Sequence, residues 1–124
     1  MKNTSLLIIE DHKTLSLSLS FWLKELFPNL TITHASTGTE GLEFAKTNNP
    51  DLALIDIGLP DISGIEVTKS IKKLGLKTEI IILTMLDGEK YRQESFSAGA
   101  GSFINKKEMY SKLPSEIYSF LSSK

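Results

Sequence analysis

Polar residues stand at matching ends of short apolar runs: Glu10 and Asp11 after Leu6–Ile9, Asp56 within Leu52–Ile57, Thr84 after Ile80–Leu83, and Lys106 after Ser102–Ile104. Alone, each has an ordinary explanation, since acids beside apolar runs are commonly solvated and a lone lysine is commonly a surface group. Together they place three acids, a hydroxyl and an amine at one edge of whatever those runs build. Carboxylates within a few ångströms repel one another and raise their own pKa values unless a cation joins them. One lysine leaves such a cluster short of balance. A divalent, oxygen-seeking ion such as Mg2+ restores it, taking one or two carboxylates together with water and phosphate oxygens. This set suits phosphoryl transfer to a carboxylate: metal and Lys106 neutralise phosphoryl oxygens, Thr84 donates to one, and Asp56 attacks. Zinc chemistry is not expected, because there is no Cys and His12 and His34 fall on different elements.

The elements that must position these groups follow from periodicity. Ser5–Ile9 is an unbroken apolar strand ending at Glu10-Asp11, and Leu15, Leu19, Trp22, Leu23 and Leu26 then fall at helical spacing. Leu30–Ala35 alternates as a half-buried strand, and Thr37 with Glu40 forms a capping box ahead of a helix with Leu42 and Ala45 inward. Leu52–Ile57 is the third strand. Ser63 caps a helix with Val67, Ile71 and Leu74 inward, and Glu79–Thr84 is a β-branched fourth strand. Asp87 opens a helix through Ala98 that Gly99 stops. Ser102–Ile104 is a fifth strand, and Pro114 suits the first turn of a last helix carrying Ile117, Phe120 and Leu121. Strand–helix alternation of this kind predicts an α/β three-layer sandwich: a five-stranded parallel sheet covered by helices on both faces.

With 124 residues, one domain spanning 1–124 is expected, burying roughly two-thirds of its unfolded surface. Fourteen basic against fifteen acidic residues give a net charge of −1, which provides no general field for nucleic acid or anionic membrane. No apolar run approaches a membrane span, and Met1–Ser5 carries no secretory signal, so a soluble, cytoplasmic domain is expected.

Glu10-Asp11, Asp56 followed by Ile57-Gly58-Leu59-Pro60, Gly64, Thr84, Ala98-Gly99-Ala100, Phe103 and Lys106 together resemble the receiver domain of two-component response regulators. Each motif is short, but their order and spacing run from the first strand to the last helix. The resemblance implies a flavodoxin-like (βα)5 fold and a switch rather than a turnover enzyme. It also implies phosphorylation of Asp56 by a sensor histidine kinase or phosphotransfer protein. Mg2+ would be held by Glu10, Asp11, Asp56 and the Gly58 carbonyl, with Thr84 and Lys106 on the phosphoryl group and Phe103 as the aromatic switch. Gly58, Met85 and His12 resemble receivers that precede helix-turn-helix DNA-binding domains, implying transcriptional control through an output domain absent here, although the chain reads either as a stand-alone regulator or as a receiver of a longer protein. The face of Glu89–Ala98, Ser102–Ile104 and the last helix is expected to change on phosphorylation and to form a phosphorylation-dependent homodimer. Lys107 stands where many receivers have Pro, and Met85 where a small residue is common.

Three rival readings fit the sequence less well. A haloacid-dehalogenase-type phosphatase needs D-x-D after the first strand and a cap segment, and neither is present. Ser36-Thr37-Gly38-Thr39 superficially resembles a flavodoxin phosphate loop, but it follows the second strand rather than the first. A phosphorylation-dead docking module would lack catalytic positions that are filled here. Leu17 and Phe21 lie off the buried stripe of the first helix and are expected to be partly exposed, whereas Trp22 belongs to the core. His12 reads as incidental.

Overall fold

The computed structural model describes residues 3–123. Strands β1 (Thr4–Ile9), β2 (Leu30–Ala35), β3 (Leu52–Ile55), β4 (Glu79–Thr84) and β5 (Ser102–Asn105) alternate with helices. These are α1 (Lys13–Leu26), α2 (Gly38–Asn48), α3 (Gly64–Lys73), α4 (Glu89–Ala98) and α5 (Met109–Ser122), the last entered through a short 3-10 turn at Lys106–Glu108. All pairings are parallel, in the order β2-β1-β3-β4-β5, with Ile8 opposite Leu54, Ile55 opposite Ile82 and Thr84 opposite Asn105.

The central strands are apolar on both faces because both are covered. Leu6, Ile8, Leu54, Ile81 and Leu83 pack with Leu19 and Leu23 of α1 and Leu113 and Ile117 of α5. Leu7, Ile9, Ile55, Ile80 and Ile82 point the other way, onto Ala45 of α2 and Val67 and Ile71 of α3. Period-two alternation thus divides one apolar run between two cores, each fully buried Leu or Ile contributing about 1.5–3 kcal/mol. No described helix is long and apolar enough to cross a membrane.

Several expectations are corrected in detail. β3 ends at Ile55 rather than Ile57: the Ile57 carbonyl turns away to accept Leu59 N at 3.0 Å and Gly64 N at 2.9 Å, which takes it out of the ladder. Leu26 and Leu74, at the last residue of α1 and the C-cap of α3, are exposed, and Phe27 and Leu76 pack on the cores instead. α4 opens after Gly88, whose φ of +114° suits glycine, and not at Asp87. α5 begins upstream of its proline. Pro114 lies inside it, flanked by the buried Leu113 and Ile117, whose packing offsets the missing backbone donor. Trp22 is only partly buried, edge-on to Tyr110 with centroids 4.8 Å apart, and Leu17 and Phe21 are exposed as expected.

Candidate functional site

Strand order reverses between β1 and β3, so the connections leave the sheet in opposite directions there and open a crevice at the carboxyl ends. The acids line that crevice. Glu10 N donates to Ala35 O at 3.0 Å and Asp56 N to Ile9 O at 3.1 Å, so both residues are fixed by ladder bonds just past their strands. Lys106 opens the turn after β5, where the Asn105 side chain accepts Lys107 N at 2.9 Å and directs the chain across the sheet end.

Lys106 Nζ lies 2.7 Å from Glu10 Oε1 and 3.2 Å from Asp56 Oδ2, with the three side chains only 9%, 3% and 9% exposed. Burial alone would push the amine's pKa down, but the Glu10 hydrogen bond and the charges of Asp56 and Glu10 outweigh it and hold the group above its usual value. Glu10 Oε2 accepts His12 N at 3.0 Å and faces His12 Nδ1 at 3.3 Å. Asp11 Oδ1 is different. It is a buried oxygen without a hydrogen-bond partner, 3.6 Å from His12 Nδ1. Asp56 Oδ1 meets Gly58 N at a long 3.4 Å. Among the described residues, Glu10, Asp11 and His12 form a group whose ligating atoms lie within 4.8 Å, with Asp56 tied to it through Lys106.

An orphaned carboxylate oxygen on Asp11, clustered with the Glu10 carboxylate, and a weakly engaged oxygen on Asp56 fit a hard divalent cation, which takes oxygen donors and offsets the surplus negative charge. His12, read from the sequence as incidental to the acidic pair, turns its ring onto both acids; a loop imidazole has no periodicity to betray where its ring points.

The loop from Gly58 to Ser63 is pressed onto the acceptor. A Cβ on Gly64 would collide with the Asp56 carbonyl, whereas Gly58 has open space around it. Ser63 caps α3 by accepting Ile65 N at 3.1 Å. Asp61, read from sequence only as a loop residue, has its carboxylate on the start of α2, accepting Gly38 N at 2.8 Å on Oδ1 and Thr39 N at 2.9 Å on Oδ2. Those bonds, with Thr39's first among them, hold the Asp61 carboxyl far below the usual carboxylate range. The Ser36–Thr39 amides therefore already hold an anion from the protein itself, which removes the flavin-phosphate reading of that segment. Thr37 caps α2 as expected, accepting Glu40 N at 3.0 Å, while Glu40 reaches back to Ser36 N at 2.8 Å, one residue earlier than a capping box requires.

Thr84 is fully buried at the end of β4, and its hydroxyl oxygen accepts Leu86 N at 3.2 Å, leaving the O–H free to donate. Phe103 is half-buried against the second core. The Arg92 guanidinium of α4 lies 6.0 Å from the Phe103 ring and 5.2 Å from that of Phe96, a cation–π contact that sequence reading did not find.

The profile of the response regulator receiver domain matches residues 6–118. A Pseudomonas aeruginosa protein named as a transcriptional regulator is 34% identical over 110 residues, covering 89% of this chain and 53% of that protein. The cell cycle response regulator CtrA of Brucella ovis is 32% identical over 100 residues, covering 81% and 42%. The chain spans about half the length of the curated relatives it matches. Among solved structures, the response regulator TrrA of Thermotoga maritima, in complex with Mg2+-BeF, superposes with a TM-score of 0.83 at 29% identity, covering 94% of this chain and 98% of that one.

Proposed function

The chain belongs to the response regulator receiver domain family, and from that premise we propose that Asp56 is its phosphoacceptor. A receiver is a signalling switch of two-component systems rather than a turnover enzyme, and receivers generally bind Mg2+ at their acidic pocket. What carries the reading for this chain is the joint state of two acids: Asp11 Oδ1 is buried without a partner, and Asp56 is bound on one oxygen by Lys106 while the other is barely engaged. Asp11, Asp56, Glu10 and the Gly58 carbonyl would hold the cation. When bound, that ion supplies charge neutralisation for phosphoryl oxygens.

In the transfer itself, a carboxylate oxygen of Asp56 attacks the phosphorus of a phosphohistidine on a sensor kinase or phosphotransfer protein. A P–O bond forms and the P–N bond breaks, and its electron pair returns to the imidazole, which takes up a proton. Lys106 keeps its proton and turns from Asp56 towards the phosphoryl oxygens, while Thr84 donates its free O–H to one of them. As Thr84 is drawn to the phosphoryl group, Phe103 turns into the space it leaves, and the face of α4, β5 and α5 changes its affinity for a second copy. Slow hydrolysis of the acyl phosphate then resets the domain. Because the matched relatives are about twice as long and several are named as regulators of transcription, the output is regulation of transcription through a further segment.

Incubation with a small-molecule phosphodonor and Mg2+, read by intact mass, tests the acceptor. One added phosphoryl group is expected, lost in Asp56→Asn and in wild type with chelator. Full-rate uptake by Asp56→Asn would overturn the assignment.

A further inference from the structure

The loop that carries Gly58 is closed at both ends by one carbonyl: the Ile57 oxygen holds Leu59 N at its start and Gly64 N at its end, and Gly64 sits against the Asp56 backbone. Between those ends the Asp61 carboxylate reaches across to α2 and takes the N–H groups of Gly38 and Thr39, one on each oxygen. A second contact follows the same route: a Cβ on Gly38 would lie 2.5 Å from Ile62 Cγ1, so the glycine at the start of α2 admits the loop's next side chain. The start of α2 and the loop beside the acceptor are therefore one packed unit, joined by two hydrogen bonds and a close approach.

We propose that Asp61 is a positioning residue that couples the Gly58–Ser63 loop to helix α2, so that cation occupancy of the acidic pocket and order at the start of α2 rise and fall together. This rests on the reading that the pocket takes a divalent cation with the Gly58 carbonyl among its donors. A cation that uses that carbonyl favours the loop arrangement in which Asp61 reaches Gly38 and Thr39. By linkage, a well-held α2 start favours the cation to the same extent. The two oxygens are both used, so an amide, which offers a single accepting oxygen, keeps half of the tether. α2 is thereby made sensitive to a site that its own residues do not touch.

The test uses the full chain and Mg2+ alone. In wild type, Mg2+ should slow amide hydrogen exchange at Gly38 and Thr39 several-fold. Asp61→Ala should weaken Mg2+ binding by about three- to tenfold, a fraction of one charge-assisted hydrogen bond converted to affinity, and abolish the Mg2+ dependence of exchange. Asp61→Asn should fall between. Ser5→Ala is the control: it removes the hydrogen bonds that join Ser5 to Asp51 at the opposite end of the sheet, and should lower stability while leaving Mg2+ affinity within about twofold. Mg2+ binding by Asp61→Ala as tight as wild type, exchange at Gly38 and Thr39 indifferent to Mg2+, or equal weakening by Ser5→Ala would each overturn the coupling while leaving the acceptor assignment standing. A wild-type chain that binds no Mg2+ would overturn both.

Discussion

Replacing Lys106 by Met keeps the aliphatic stem and removes only the amine, which isolates its electrostatic role. The amine bridges two carboxylates that are 3% and 9% exposed, at 2.7 and 3.2 Å. Removing one partner from such a buried set costs about 3 kcal/mol, because the carboxylates stay behind without compensation. For a domain of this size that is a fall of roughly 10–15 °C in unfolding temperature. A cation reverses the deficit. The pocket of Glu10, Asp11 and Asp56 loses its resident positive charge, so Mg2+ binds the variant more tightly, and at a hundred times its dissociation constant adds about 2.7 kcal/mol. Thermal unfolding in chelator and in Mg2+ should therefore show a larger Mg2+-induced rise for Lys106→Met than for wild type, even though phosphorylation is slowed. An unfolding temperature within about 2 °C of wild type in chelator, or a smaller Mg2+-induced rise than in wild type, would refute the argument that Lys106 stands in for the ion.

Asp11→Asn should leave the chain as stable as wild type in chelator or more so, since Asp11 Oδ1 has no partner to lose, yet weaken Mg2+ binding by about tenfold, or 1.4 kcal/mol, measured by titration calorimetry. Gly64→Ala drives a Cβ into the Asp56 carbonyl and should cost about 1–3 kcal/mol in denaturant unfolding while slowing phosphate uptake. The lowered Asp61 carboxyl gives stability that is present above about pH 3.9 and lost as pH falls through its folded value, so Asp61→Asn should flatten the acid limb of unfolding-against-pH curves. The raised Lys106 amine gives stability present below about pH 10.4 and lost as pH rises through its higher folded value, so wild type and Lys106→Met should converge at alkaline pH.

What could be read from sequence is what periodicity and position encode. Leu6–Ile9 and Ile80–Leu83 are too apolar for anything but strands covered on both faces, and β2 and β4 fall on the expected residues. Glu10, Asp56 and Lys106 converge because strand ends in a parallel sheet converge. Side-chain direction is another matter. Asp61 looked like turn chemistry, because nothing local says that a loop carboxylate reaches a helix more than twenty residues away. Arg92 carries no sequence signal of its own, and only tertiary packing sets it over Phe96 and Phe103. Pro114 was misplaced because propensity marks where a helix can begin, whereas the buried Met109 and Leu113 decide where this one does.

α4 is held by little. It buries Ser95 and Ala98 and lies between two glycines at φ +114°, while α5 buries Met109, Leu113 and Ile117. Releasing residues 89–98 from the sheet therefore gives up far less apolar contact than releasing α5, and its opening free energy sits well below that of global unfolding. Arrangements in which the fourth helix is shifted or frayed while both cores stay intact are therefore the least costly departures from the native one. On the proposed reading, a charge added at Asp56 would have only to reweight such arrangements, and the smallness of that gap, rather than the strength of any one new contact, would set how far the switch is thrown.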